Sequence, residues 1–343
     1  MPTADLPPAL AEAVAWLLED VAPRDLAQAS AELSDRYREK HERRAPVARS
    51  EADILAYAAS RLPATYAAVS AVLDAAREQR PDWAPRSLLD LGAGPGTGLW
   101  SATSRWSSIE RVTAVEAEPR MLALGQELAR SAAHPAVRQA QWVKASVADT
   151  APAGPYDLVL MAYVLGELDE ATRDRAVDRA AEATDHPAGL TAIVEPGTPE
   201  GYVRVLRARD RLLARGGFVT APCPHDDRCP WSDSPTDWCH FAVRLARTVA
   251  HRAAKGGALG YEDEKFSYVV VSWQPTARTA ARVLRHPQIR PRLIELQLCT
   301  PGGVRQAVVT KKDREAFRLA RKIDWGDSFD YTDDDATDST HEP

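Results

Sequence analysis

The chain has 343 residues, of which 45% are hydrophobic and 27% charged, and its formal net charge at pH 7 is −6. This length exceeds one typical domain, and the composition is that of a globular protein with a full-sized core. No apolar run is long enough to cross a membrane and the first residues lack a secretory signal pattern, so we expect a cytoplasmic protein with no membrane partner.

Residues 1–80 are predicted to form an N-terminal helical region. Apolar residues recur at three- and four-residue spacing in "LPPALAEAVAWLLEDV" and again in the stretch that starts at Glu51. Ser50 is a candidate N-cap for the second stretch, and Pro63 is expected to kink or split it.

Residues 81–218 alternate short apolar runs with helical segments. The runs "SLLDL", "RVTAVE", "VRQAQWV", "YDLVLMAYVL" and "GLTAIVEP" predict strands, and the segments between them, such as 119–130 and 171–183, predict helices. Strands that alternate with helices form βαβ units, so we expect a Rossmann-like α/β core with a parallel, doubly wound sheet.

Residues 219–323 are predicted to form a β-rich C-terminal region that contains the cysteines. A helix is expected around Phe241–His251, followed by strands in "FSYVVVSW", "LIELQLC" and "RQAVVT". These strands complete the main sheet or form a small appended lobe, and the pattern favours neither. Residues 324–343 are acidic and poor in apolar side chains, which predicts a disordered tail.

The charges are segregated along the chain. After Lys322 the sequence holds seven Asp and one Glu without any Lys or Arg, whereas residues 240–322 hold 17 Lys and Arg against 6 Asp and Glu. A surface that contacts nucleic-acid phosphates needs such a basic segment, but a general bias toward arginine produces it too. Charge alone therefore leaves both interpretations open.

A glycine-rich turn follows the first predicted strand. In "SLLDLGAGPGTGLW" this turn carries Asp90, Gly92, Gly94 and Gly96, and Glu116 ends the next strand. A carboxylate there can accept hydrogen bonds from both hydroxyls of a ribose. A dinucleotide site is less favoured because the third glycine comes one residue too early for G-x-G-x-x-G. The pattern resembles that of S-adenosylmethionine-dependent methyltransferases, which implies their fold.

Catalytic residues are left unassigned. The position after the third strand that often binds adenine through an acid is Ser146, and "MAYVLGELDE" lacks the Asn/Asp-Pro-Pro-aromatic motif of enzymes that methylate exocyclic amines. Pro222-Cys223 is similar to the nucleophile motif of cytosine-C5 enzymes, but it follows the fifth strand rather than the fourth.

The four cysteines have the spacing C-x5-C-x9-C, with the fourth 60 residues further on: Cys223, Cys229, Cys239 and Cys299. In a reducing cytoplasm such a set favours metal ligation over disulfides. Zinc sites usually begin with a C-x(2–4)-C pair, so the wide spacing favours a [4Fe–4S] cluster. Zinc stays an alternative because His225 and His240 lie nearby, and unrelated buried thiols are a third.

Several stretches together resemble the methyltransferase-like family associated with the ribosomal small subunit. They include "LLDLGAGPGTGLW", "PCPHDDRCPW", "WCHF", "EDEKFSYVVVSW", "LQLCTPGG" and "ARKIDWGD". The resemblance implies that Cys223, Cys229, Cys239 and Cys299 bind a [4Fe–4S] cluster. It also implies an S-adenosylmethionine site made by Asp90, Gly92, Gly94, Gly96 and Glu116.

Three functions are compatible with these features. The first is a small-subunit assembly protein that binds S-adenosylmethionine, the cluster and rRNA. The second is an active rRNA methyltransferase with an unidentified target nucleotide. The third is a small-molecule methyltransferase with a zinc-ordered lid, which has little need for the basic segment 240–322.

Overall fold

A computed structural model of the chain describes residues 4–38, 50–149, 152, 154–255 and 259–329. Within these ranges the chain forms eleven α-helices and thirteen strands, the strands being divided between two sheets. The helices are α1 Pro8–Leu17, α2 Pro23–Arg38, α3 Glu51–Ala56, α4 Leu62–Gln79, α5 Thr97–Thr103, α6 Pro119–Arg130, α7 Pro135–Arg138, α8 Glu170–Ala183, α9 Pro199–Ala214, α10 Val249–Lys255 and α11 Arg314–Ala320.

Helix α3 begins at the predicted cap, and the helical register changes near the predicted proline. Ser50 caps α3, because its hydroxyl accepts from the Asp53 N–H and the Asp53 carboxylate accepts from the Ser50 N–H, each at 3.1 Å. A π-helical turn, Tyr57–Arg61, then joins α3 to α4 just before Pro63. The Leu62 N–H donates to the carbonyl of Tyr57, five residues back, so the predicted split is a change of helical register rather than a break.

The first sheet has eight strands in the order β3-β2-β1-β4-β5-β8-β6, with β7 also paired to β8. The strands are β1 Ser87–Leu91, β2 Arg111–Glu116, β3 Gln141–Lys144, β4 Leu158–Ala162, β5 Leu190–Pro196, β6 Phe218–Ala221, β7 Phe241–Ala246 and β8 Tyr261–Ser272. Strand β8 alone runs against the others. This arrangement confirms the predicted α/β methyltransferase fold.

Strands β6 and β7 lie one after the other along the same edge of β8. Strand β7 pairs with the first half of β8 and β6 with the second half. The helix expected around Phe241–His251 was therefore wrong for its first half. Phe241, Ala242 and Leu245 have helix-like spacing, but pairing along the long strand β8 outweighs that local preference. The helix α10 starts only at Val249.

Helices cover both faces of this sheet. The N-terminal helices together with α5 and α6 pack on one face, and α8 and α9 pack on the other. Helices α8 and α9 are joined by a ladder of ion pairs in which Arg207, Arg211 and Arg215 of α9 contact Glu170, Asp174, Asp178 and Glu182 of α8. Arg207, Arg211 and Arg215 are thus neutralised within the fold.

The second sheet is smaller and antiparallel. Its strands are β9 Ala281–Val283, β10 Gln288–Ile289, β11 Leu293–Thr300, β12 Gly303–Thr310 and β13 Ser328–Phe329. Helix α11 packs on β11 and β12 over an apolar cluster that includes Phe317, Ala320 and Phe329. The predicted β-rich region is therefore divided, since "FSYVVVSW" completes the first sheet and the later strands form an appended lobe.

The acidic tail starts later than predicted. Residues 324–329 belong to the second sheet, because Phe329 fills its apolar cluster and β13 pairs with β9. Residues 330–343, the rest of the predicted disordered tail, lie outside the described residues.

Candidate functional site

The glycine turn leaves β1 at the carboxyl edge of the first sheet. Gly92, Gly94 and Gly96 have φ values of 75°, 53° and 81°, which favour glycine. A Cβ at Gly92 would lie 2.3 Å from Val164 Cγ2, so a side chain there would collide with the segment after β4. A Cβ at Gly94 would meet only the hydroxyl of Tyr57, at 3.9 Å. The turn therefore presents open space on the side of Gly94.

Glu116 ends β2 and reaches the glycine turn. One oxygen of its carboxylate accepts from the Gly94 N–H at 2.8 Å and the other from the Glu118 N–H at 2.7 Å. Each carboxylate oxygen has a further lone pair, so these bonds leave Glu116 able to accept from the two hydroxyls of a ribose. Ser146 follows β3, where its hydroxyl accepts from the Ala148 N–H at 3.3 Å.

Asp90 lies behind the turn, inside the sheet. Only 2% of its surface is exposed, and Gly98 of α5 packs so closely on it that a Cβ there would lie 2.3 Å from Asp90 Oδ2. Burial, with a smaller effect of the Glu116 charge, raises the pKa of Asp90 to about 8. The Asp90 carboxyl is therefore largely neutral at pH 7.

Two tyrosines and a glutamate form a chain of neighbours that begins beside the turn at Tyr57, and no sequence motif marks them. Tyr57 comes from the π-helical turn, and burial raises its pKa to about 12. Tyr163 follows β4 with a φ of 60°, a strained value for a non-glycine residue, and its hydroxyl donates to Glu264 Oε1 of β8 at 3.0 Å. Burial is also the main cause that raises the pKa of Glu264.

The four cysteines converge from three parts of the chain. Cys223 follows β6 and Cys239 precedes β7, with Cys229 between them, while Cys299 lies on β11 of the second sheet. We call these four residues the thiol cluster. None is in a disulfide. Burial, and then the neighbouring cysteines, raise the pKa of Cys239 and Cys299 well above that of a free thiol.

Aromatic and imidazole side chains surround the thiol cluster. Tyr202 of α9 donates its hydroxyl to Cys229 Sγ at 3.2 Å, and His225 Nε2 lies 3.6 Å from Cys299 Sγ. Trp231 and Trp238 pack beside Cys229, Cys239 and Cys299 in one apolar cluster. The indole N–H of Trp238 donates to the carbonyl of Gly197 at 2.9 Å, which ties the cysteine loop to the carboxyl end of β5.

Two buried arginines lie next to the thiol cluster. Arg209 of α9 and Arg282 of β9 are 3% and 1% exposed. Their guanidinium groups donate to backbone carbonyls of Asp227 and Pro222, yet Arg209 Nε and Arg282 Nη2 are buried without an acceptor. Each guanidinium also has one carboxylate neighbour, Asp210 at 3.1 Å from Arg209 and Glu78 at 3.5 Å from Arg282. The N–H groups that remain without an acceptor fit an anionic group between the cysteines, such as a thiolate-bound metal centre.

The thiols are not arranged around one point. Among the residues described, no group of three or more His, Cys, Asp or Glu side chains is placed to hold a single metal ion. His225 and His240, the possible zinc ligands, are both buried, and burial lowers the pKa of each. His240 Nδ1 is engaged with the carbonyl of Trp238 at 3.0 Å, and its ring stacks on Trp238.

No helix within the described ranges is both long and apolar enough to cross a membrane. Comparison with known families gives a match over residues 51–330 to the family described as mitochondrial small ribosomal subunit Rsm22.

Two similar curated proteins are mitochondrial. The human ribosome assembly protein METTL17 is 30% identical over 295 residues, which cover 80% of this chain and 61% of that protein. The Rsm22-cox11 tandem protein 2 of Schizosaccharomyces pombe is 24% identical over 334 residues, which cover 82% of this chain and 43% of that protein. The chain thus spans about half the length of these relatives. The expected cytoplasmic location stays a prediction.

Similar solved structures are methyltransferases of low sequence identity. A TehB-like S-adenosylmethionine-dependent methyltransferase from Corynebacterium glutamicum has a TM-score of 0.39 and 15% identity, over 60% of this chain and 88% of that chain. The N-methyltransferase NodS from Bradyrhizobium japonicum, with bound S-adenosyl-L-homocysteine, has a TM-score of 0.35 and 13% identity, over 59% and 85%.

Proposed function

Because the chain belongs to the Rsm22 family of mitochondrial small ribosomal subunit proteins, we propose that it is a methyltransferase-like assembly protein of the small ribosomal subunit. In this proposal it binds S-adenosylmethionine at the glycine turn, holds a [4Fe–4S] cluster at the thiol cluster, and contacts rRNA. The convergence of four cysteines from two sheets, two of them buried and two half-buried, carries the proposal, because binding an inorganic centre gives four free thiols a reason to lie together.

The chemistry of the thiol cluster supports an iron–sulfur centre over zinc. Four sulfurs at about 2.3 Å from one zinc ion lie within about 3.8 Å of one another. In a four-iron cluster each thiolate binds a different iron, so the sulfurs are spread more widely. Among the described residues the thiols are not placed around a single ion, so the wider set is the arrangement that the proposal requires. Arg209 and Arg282 would balance the negative charge of such a centre.

The cluster would act as a structural cross-link. Cys223, Cys229 and Cys239 would hold it from the first sheet and Cys299 from the second, which joins the C-terminal lobe to the core. Trp231 and Trp238 would shield it from water, and the hydroxyl of Tyr202 would donate to the sulfur of Cys229. A loop rich in proline and aspartate buries few apolar groups, so this cross-link would offset its ordering entropy.

The glycine turn and Glu116 support the S-adenosylmethionine site. The open side of Gly94 gives room for the amino-acid part of the ligand, and the free lone pairs of Glu116 can accept from its ribose. Replacing Glu116 with Ala also leaves two backbone N–H groups without their acceptor. We therefore expect the Glu116→Ala variant to lose S-adenosylmethionine binding in calorimetric titration, whereas Glu110→Ala, at an exposed ion pair, should bind normally.

The cluster is tested by purifying the protein anaerobically. We expect a brown protein with about four iron and four sulfide per chain. A colourless protein with one zinc per chain would contradict the cluster. Ribosome association is tested separately, on density gradients, where the protein should sediment with small-subunit particles and dissociate as salt rises. Sedimentation at the top of the gradient at every salt concentration would contradict it.

An active rRNA methyltransferase is the second candidate, favoured by one observation. Tyr163 has a strained backbone and donates to Glu264, and the next residue, Val164, packs on Gly92 of the glycine turn. If the protein transfers a methyl group, cells with Glu116→Ala should lack one methylated rRNA nucleotide. An unchanged methylation map with normal subunit assembly would favour the binding role. Turnover of a metabolite without RNA would instead revive the small-molecule alternative.

A further inference from the structure

The basic segment 240–322 is less basic on the surface than its composition indicates. Many of its arginines pair with acids, including acids that lie outside the segment in sequence. Arg278 pairs with Asp226 and Arg285 with Asp237, while Arg244 and Arg247 pair with Asp263 and Glu262. The net charge of the segment therefore does not indicate which part of the surface attracts an anion.

Unpaired cations are concentrated at helix α11. A groove of about 660 Å³ is lined by Phe317 and by five basic side chains, Lys311, Arg314, Arg318, Arg321 and Lys322. All five are exposed. Within the described part of the chain, none of the five forms an ion pair with a carboxylate, and no acidic residue lines the groove.

The acidic residues at the start of α11 do not line the groove. The Asp313 carboxylate caps the helix by accepting from the N–H groups of Glu315 and Ala316, at 3.1 and 2.9 Å. Glu315 is exposed in the first turn of the helix and does not line the groove. Arg314, Arg318 and Arg321 are spaced at i, i+4 and i+7, so they form a row of about 10 Å along one helix face.

We propose that this groove, formed by α11 and the end of β12, binds the sugar–phosphate backbone of RNA. A row of unpaired guanidinium groups suits a polymer that carries one negative charge per nucleotide, and each arginine can donate two hydrogen bonds to a phosphate. The choice of RNA over an acidic protein rests on the proposed function, because the proposed partner is rRNA. The groove contacts the backbone and does not read the bases.

The ion pairs between α8 and α9 provide an internal control for this proposal. Helix α9 also presents three arginines on one helix face, but each contacts carboxylates of α8. The two helix faces therefore carry the same number of arginines and differ in whether these arginines are paired with carboxylates. If RNA binding requires unpaired guanidinium groups, substitutions on α11 weaken it and substitutions on α9 do not.

The test is fluorescence anisotropy with the full-length holoprotein and a labelled 20-nucleotide oligouridine, between 50 and 300 mM salt. The variants are R314Q/R318Q/R321Q, its charge-keeping partner R314K/R318K/R321K, and the α9 control R207Q/R211Q/R215Q. We expect the first to lower the slope of log K against log salt by about 2 and to weaken binding about 10- to 100-fold at 0.1 M salt. The Lys variant and the α9 control should keep the wild-type slope.

Each contrary outcome overturns the proposal. The proposal fails if the Gln variant keeps the wild-type salt slope or if the α9 control loses as much RNA affinity as the Gln variant. It also fails if the wild type does not bind RNA. Labelled polyglutamate that binds the groove as tightly as RNA would assign it to an acidic protein instead. If the Gln variant keeps both its RNA affinity and its sedimentation with small subunits, the groove is wrong and the proposed function stands. Iron content and the thermal unfolding midpoint of each variant show that it is folded.

Discussion

Asp90 shows how one buried carboxyl links the glycine turn to the stability of the protein. Its pKa of about 8 lies far above the value in an unfolded chain, because burial penalises the charged form. A carboxyl whose pKa is raised by folding stabilises the native state at low pH. This stabilisation is lost as the pH rises from about 4, where the unfolded chain begins to ionise, to about 8.

Replacing Asp90 with Asn removes the ionisable group and keeps the shape. We expect the free energy of unfolding of the wild type to fall with pH between 5 and 8 by roughly 1 kcal/mol per unit more than that of Asp90→Asn. Urea unfolding at pH 5, 6, 7 and 8 measures the difference. Asp82→Asn, at an exposed position, should follow the wild type. Parallel pH profiles for Asp90→Asn and the wild type would refute the raised pKa.

At the scale of single elements, strand β9 brings a buried cation to the cysteines. Arg282 pairs in register with Cys299 of β11, donates to the carbonyls of Pro222 and Gly326, and lies 3.5 Å from Glu78 of α4. Without a cluster, burying this guanidinium destabilises the folded protein, because the charge loses its hydration. With an anionic cluster beside it, the same charge becomes stabilising.

Replacing Arg282 with Met should therefore weaken the cluster more than the fold. We expect iron to be lost several-fold faster from Arg282→Met than from the wild type in the presence of a chelator, as followed by visible absorbance. Arg282→Lys keeps the charge and should be intermediate, and Arg244→Met, at an exposed ion pair, should lose iron at the wild-type rate. Equal rates for all four proteins would show that the cation does not act on the cluster.

The elements that the sequence predicts best are those with a strong local signal. Helix α6 has the predicted bounds because Pro119 begins it, and β1 with the glycine turn follows from the turn chemistry. The strand β7 was missed because its partner β8 lies about twenty residues further along the chain. The gathering of the cysteines was predicted from their number and surroundings. Arg209, Arg282, Tyr163 and Glu264 were not predicted, since only the tertiary fold brings them to the sites.

At the scale of the whole molecule, the thiol cluster lies between two sheets with separate apolar cores. The first sheet is sandwiched between helices, whereas the second has one small core under α11. A lobe of this size buries little apolar surface and depends on its attachment to the larger core. The cluster would supply much of that attachment through Cys299.

Removing the cluster should therefore loosen one part of the molecule and leave the other unchanged. After anaerobic chelation of iron, we expect faster amide hydrogen exchange in residues 222–240 and 281–300 and unchanged exchange in residues 87–116. Mass spectrometry of the exchanged peptides measures this. Cys299→Ser, purified without a cluster, should give the same pattern. A uniform change across both sheets, or none anywhere, would contradict the role of the cluster as a cross-link.

The shared edge of β8 has an evolutionary consequence. Because β6 and β7 pair with successive halves of one strand, residues 222–240 leave the sheet and return to it at the same edge. Insertions or deletions in this excursion would shift no strand and alter no register. Evolution could therefore lengthen, shorten or remove residues 222–240 while the first sheet kept its geometry.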